Sequence, residues 1–185
     1  MIEVLQALVQ ILNPKKYVQS LDSKLTITEK HRQATFRNIT IQSIGKEALA
    51  LKLDECGFPG NKIFVEQHAM HRACDAVVFC VVSGEPYILC LELKSSGPNR
   101  NEVKQQFQNA HCFLNYLDSL LVTYHNQSIK SWSRRYFVFH DATKSLLNKP
   151  PLIDMPHNDT PESAQVMPVQ NGENIYLRKL LGKPL

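Results

Sequence analysis

The stretch that most constrains the fold is "RACDAVVFCVVSGEPYILCLELKSS", residues 72–96. Two apolar runs rich in β-branched residues flank a short segment punctuated by Gly84 and Pro86, which reads as a β-hairpin. A hairpin this apolar belongs inside a sheet that other layers cover. It nevertheless carries Asp75 at one end and Glu92 and Lys94 at the other. Residues two apart on a strand share a face, so Ile88, Cys90, Glu92 and Lys94 lie together, with Leu89, Leu91 and Leu93 on the reverse. With "SGEP" as the connection, Val82 faces Tyr87, Val77 faces Glu92 and Asp75 faces Lys94. Asp75 then lies diagonally from Glu92, roughly 7–8 Å away. Three charges separated in sequence converge on one patch.

The flanking chain supplies the layers. "IEVLQALVQIL" has the spacing of a helix, with Ile2, Leu5, Leu8, Val9 and Leu12 on one face, ended by Pro14. "KLTIT" and "TFRNITIQSI" alternate like strands. "GKEALALKLDECG" is ambiguous between a helix closed by Gly57 and a strand, and "KIFVEQHA" reads as a strand. The clearest helix is "NRNEVKQQFQNAHCFLNYLDSLLVTYH", whose Val103, Phe107, Ala110, Leu114, Leu117 and Leu121 form one stripe, with Asn101 as its cap. "RRYFVFHDA" is a short buried strand. Residues 149–168 hold five prolines and no periodicity, which suggests a long surface excursion. "ENIYLRKLLG" is a final strand or short helix. At 185 residues this is one domain, a central mixed β-sheet flanked by helices.

Bulk properties narrow the class. The net charge is +4, from 21 Lys plus Arg against 17 Asp plus Glu. That is compatible with a nucleic-acid partner without requiring one. No run approaches the length that spans a bilayer, so no membrane is expected, and the N-terminal segment lacks the basic leader of a signal peptide. The five cysteines form no CxxC pair. Cys80 and Cys90 fall inside apolar strands, so buried free thiols in a reducing cytoplasm are expected.

Two carboxylates beside a lysine suit one chemistry well. The carboxylates can hold a hard cation such as Mg²⁺ or Mn²⁺ with positions left for water and a phosphate oxygen. The lysine can orient the attacking water or stabilise charge on the pentavalent phosphorus. "CD" at 74–75 followed by "ELK" at 92–94 on the next strand resembles the signature of the PD-(D/E)XK nuclease superfamily. The likeness covers about residues 45–140 and implies a restriction-endonuclease-like core. It implies Asp75 and Glu92 as metal ligands, with the backbone carbonyl of Leu93, and Lys94 as the catalytic lysine. Branches of that family place a glutamine before an apolar residue on the following helix, which points to Gln106 before Phe107, with Gln105 as the other match. An additional upstream acid is a family habit; Glu47, Glu55 and Glu66 are the candidates, with Glu66 preferred as a further metal ligand. Cys74 stands where the family signature has proline.

The implied activity is metal-dependent phosphodiester hydrolysis, on DNA rather than RNA, in defence or DNA processing. The chain has little room for a sequence-reading domain, so a helicase, ATPase or sensor partner, or a homodimer, would direct it. The rival readings are a non-catalytic nucleic-acid-binding or structural subunit with the same fold, and a different hydrolase using Asp141 or the histidines. "KSWSRRY" offers Lys130, Arg134 and Arg135 for phosphates and Trp132 for stacking. "HAMH" at 68–71 with His111 and Cys112 matches no zinc spacing, although His68 or His71 can line a cleft.

Overall fold

The structure, a computed structural model, describes residues 2–18, 20–29, 33–45, 48–53, 72–142 and 158–183. In chain order the elements are α1 (Ile2–Ile11), a 3₁₀ turn at Pro14–Lys16, β1 (Tyr17–Val18), β2 (Ser20–Leu21), β3 (Lys24–Thr28), β4 (Asn38–Gln42) and β5 (Ala48–Lys52). They continue with β6 (Ala76–Val82), β7 (Glu85–Lys94), α2 (Arg100–His125), β8 (Ser133–Asp141), a 3₁₀ turn at Pro161–Ser163, β9 (Gln165–Val169), β10 (Asn174–Tyr176) and α3 (Leu177–Leu180). The chain is α/β, and its main sheet is mixed.

The main sheet runs β1-β5-β6-β7-β8-β9. Pairing is antiparallel from β1 to β7 and parallel from β7 to β9. Parallel neighbours need a crossover, and α2 supplies it between β7 and β8. Its six stripe residues, Val103 to Leu121, are all buried. They pack with α1 against the sheet face that carries Val77, Phe79, Ile88, Cys90, Tyr136 and Val138. The reverse face, with Val78, Leu89, Leu91, Phe137 and Phe139, is covered by Leu25, Ile27, Ile39 and Ile41. These come from a second sheet ordered β10-β4-β3-β2. The central mixed sheet flanked by helices is as expected, and the second sheet is an addition to it. Helices α1 and α2 cover one side and a four-stranded sheet most of the other.

Local readings change accordingly. The hairpin turns on Ser83 and Gly84 alone, both at positive φ (54° and 83°), as a two-residue primed turn requires. Val82 therefore pairs with Glu85 and Cys80 with Tyr87, so the register is two residues from the one expected. Pro86 enters the strand without loss. It follows a hydrogen-bonded pair, so its nitrogen faces away from β6, and pairing to β8 begins only at Tyr87. The ambiguous 48–52 segment is a strand, completed by β6 on one edge and β1 on the other. On α1 the buried side chains are Val4, Leu5, Ala7 and Leu8, while Ile2 and Val9 are half exposed beside a groove of about 500 Å³ against Ala48 and Leu49. Asn99, not Asn101, caps α2, its side chain accepting from the Asn101 and Glu102 amides. Part of the proline-rich segment is not an excursion: Gln165–Val169 adds β9 to the sheet. Residues 149–157 lie outside the described residues. Cys74, Cys80 and Cys90 are buried free thiols, as expected of Cys80 and Cys90.

Candidate active site

The site forms where the β6–β7 ladder stops. Ala76 and Leu91 are the last paired residues, and the same register sets Asp75 directly opposite Glu92 rather than diagonal to it. A shift of two keeps every side chain on its face. Beyond the ladder the two carboxylates take over its hydrogen bonds. The Asp75 amide donates to Glu92 Oε2 (3.2 Å), and the Leu93 amide donates to Asp75 Oδ2 (2.6 Å). The Asp75 carbonyl accepts from the Leu53 amide (3.2 Å), which ties this end to β5. Asp75 and Glu92 are only 5% and 2% exposed. The Leu93 carbonyl shares its amide's edge of β7, so it lies on the Asp75 side.

Lys94 lies on the Glu92 face at the rim. Its Nζ is 2.8 Å from Glu92 Oε1 and 3.2 Å from Glu102 Oε1, and its side chain is 20% exposed. Glu102 and Gln106 stand one turn apart in the first part of α2 and so share a face. Val103 and Phe107 anchor that turn in the core. The Gln106 side chain hydrogen-bonds Glu92. Its Oε1 is buried and has no hydrogen-bond partner among the described residues. Buried polar atoms are almost always satisfied, so this oxygen marks a place where a ligand or water belongs.

Burial pushes the Glu92 carboxyl up to about 7, against the opposing pull of Lys94, Gln106 and the Asp75 amide. Burial also opposes the Lys94 charge, but Glu92 and Glu102 outweigh it and hold the ammonium above its ordinary value. Glu92 and Glu102 both pair with this one ammonium and Asp75 stands opposite Glu92, so acidic groups outnumber the lysine here. The oxygens on hand are the Asp75 and Glu92 carboxylates, the Gln106 amide oxygen and the Leu93 carbonyl. This all-oxygen set suits a hard cation such as Mg²⁺, which needs only one or two carboxylates from the protein. No group of three His, Cys, Asp or Glu able to hold a metal occurs among the described residues. Glu47, Glu55, Glu66, His68 and His71 lie outside the described residues.

The other candidates fall elsewhere. Trp132 is 5% exposed and packs edge-on against Phe79, so it belongs to the core and offers no stacking face. Arg134 and Arg135 sit at the far end of β8, level with Ile88 and Leu89, roughly 10–13 Å along the strand from Glu92. As adjacent strand residues they face opposite ways. Arg134 bonds His111 and Asn115 on α2, and Arg135 lies 6.0 Å from the Tyr87 ring. Lys130 is exposed on the loop before β8. The three do not make one patch. His111 is engaged with the Tyr136 hydroxyl at 3.0 Å. Asp141 alternates with Phe137 and Phe139 onto the second-sheet side, away from Lys94. Gln105 is exposed and Gln106 partly buried, which favours Gln106 as the site residue.

Sequence reasoning missed Glu102. Its signal was present: an acid four residues before Gln106 on a helix whose first turn follows the Lys94 strand.

Comparison with protein-family models, with curated proteins and with solved structures finds no match. No helix among the described residues is long and apolar enough to cross a membrane.

Proposed function

We propose that the chain is a metal-dependent nuclease, hydrolysing phosphodiester bonds at the Asp75–Glu92–Lys94 end of the hairpin. The observation that carries this reading is the mutual clamp of two buried carboxylates with Lys94 at 2.8 Å and an unsatisfied Gln106 oxygen beside them. A structural salt bridge gains little from a second buried carboxylate, whose desolvation is costly. A cation-binding site needs it.

A bound Mg²⁺ or Mn²⁺ would supply Lewis acidity at a phosphate oxygen. The chain's own groups do the rest. Asp75 and Glu92 hold their carboxylates fixed through main-chain amides, so no reorganisation is needed when charge develops. Lys94 offers its ammonium to the water or to the phosphate oxygens. Gln106 orients Glu92 and presents Oε1 to a water or ligand. Overall, a water oxygen adds to phosphorus, the bond to the leaving oxygen breaks, and a water proton ends on that oxygen.

The same reading extends to a restriction-endonuclease-like core, to DNA in preference to RNA, and to an intracellular role in defence or DNA processing. A helicase, ATPase or sensor subunit, or a second copy, would direct it. The test is a panel of plasmid, linear duplex, single-stranded DNA and RNA, with Mg²⁺, Mn²⁺ or EDTA. Cutting that needs the metal supports the reading. Nucleic-acid binding without cutting, with either metal, replaces it with a non-catalytic binding subunit.

A further inference from the structure

Lys94 has two acidic partners, and the proposed chemistry competes for one of them. Its Nζ is 2.8 Å from Glu92 Oε1 and 3.2 Å from Glu102 Oε1. In the nuclease reading Glu92 is a cation ligand. A carboxylate oxygen that gives electron density to a divalent cation is a weaker partner for an ammonium, and the cation itself repels that ammonium. Lys94 then depends on what else holds it. Its side chain is 20% exposed at the rim, and a flexible lysine stem carries an unheld charge out to solvent.

Glu102 is placed to hold it. It stands in the first turn of α2, where the Asn99 side chain accepts from its amide at 3.4 Å and Val103 beside it is buried in the core. Its carboxylate is not shared with the next cation on the helix, since Lys104 pairs with Glu162 at 3.3 Å. Nor does it join the two hairpin carboxylates as a ligand: among the described residues Asp75, Glu92 and Glu102 do not form a group able to hold a metal. The pair adds little to fold stability, because Glu102 is 44% exposed and ion pairs at such exposure are weak. Gln106, one turn further along α2, hydrogen-bonds Glu92. The start of this helix therefore carries a separate holder for each of two site residues. We propose that Glu102 is a positioning residue, which keeps Lys94 at the site when Glu92 turns to the cation. This rests on the nuclease reading and adds to it a residue that acts only through the lysine.

The test compares wild type with Glu102→Ala and Glu102→Gln in the full chain, across a Mn²⁺ titration. The substrate is whichever of plasmid, linear duplex, single-stranded DNA or RNA the wild type cuts best, and thermal melting checks the fold. At saturating Mn²⁺, Glu102→Ala should lower kcat roughly 10-fold or more and leave KM within about twofold, because a misplaced catalytic group costs rate and not substrate binding. Glu102→Gln keeps an acceptor oxygen at the same reach and should recover part of the loss. Both variants should melt with the wild type. The assignment falls, and the nuclease reading stands, if kcat in Glu102→Ala is unchanged or raised, if the loss is carried by KM, if more Mn²⁺ repairs it, or if Glu102→Gln is no better than Glu102→Ala. A wild type that cuts none of the four substrates overturns both. Should Glu102→Ala melt early, Glu102→Ser carries the comparison.

Discussion

Glu92 should lower the stability of the metal-free protein, and the size of this effect follows from its burial. Its carboxyl titrates at about 7 in the folded state against an ordinary value of 4.5. Between these values the folded protein keeps a proton that the unfolded chain has released. Stability therefore falls as pH rises through that window and levels off above it. The full difference corresponds to about 3 kcal/mol at roughly 1.4 kcal/mol per tenfold change. Glutamine mimics the protonated form at any pH. In EDTA at pH 8, Glu92→Gln should be more stable than wild type by about 1–3 kcal/mol, the lower end allowing for the lost Lys94 pair. For a chain of this size that is a rise in Tm of roughly 2–10 °C. At pH 5 the gap should nearly close. Adding Mg²⁺ should raise the wild-type Tm through binding to the folded state and leave Glu92→Gln unmoved. The assay is thermal melting across pH 5–8 with EDTA or Mg²⁺. A variant equal to or less stable than wild type at pH 8, or a gap that does not change with pH, would refute the reasoning.

Other outcomes follow from the same geometry. Gln106→Ala removes the hydrogen bond that favours ionised Glu92 and should weaken Mg²⁺ binding about tenfold or more, read as a shifted midpoint in a thermal-melt titration. Phe107 is fully buried and meets Tyr136 edge-on at 5.3 Å, so Phe107→Ala should cost about 3–5 kcal/mol in a urea unfolding curve. Gly84 has φ +83° with open space around its Cβ position. Gly84→Ala should thus cost about 1–2 kcal/mol from backbone strain alone, measured the same way.

Much of this was legible in the chain, for physical reasons. The α2 stripe is a single long 3.6 period, and its six core positions were readable because each faces the same sheet. The faces of Glu92 and Lys94 followed from strand alternation, which a two-residue shift of register leaves intact. The register itself was misread because Pro86 resembles a turn residue. Its neighbours show that it sits where no amide was needed. Ala48–Lys52 was ambiguous because its composition suits a helix, and only its partners on both edges make it a strand. The second sheet was illegible, since nothing local in "KLTIT" or "NITIQ" says which layer will cover it. Trp132 looked available for stacking because sequence does not reveal that Phe79 meets it. Glu102 was legible but overlooked: it stands four residues before Gln106 on the helix that follows the Lys94 strand.

The most direct test is kinetic, on the substrate that the wild type cuts best with Mg²⁺ or Mn²⁺, comparing it with Asp75→Asn and Lys94→Ala purified in parallel. Both variants should keep the wild-type circular dichroism spectrum and lose cleavage by roughly 100-fold or more, as expected when a group that stabilises the transition state is removed. Undiminished cleavage by both variants would place the chemistry elsewhere, and the hairpin charges would then be only a buried salt bridge.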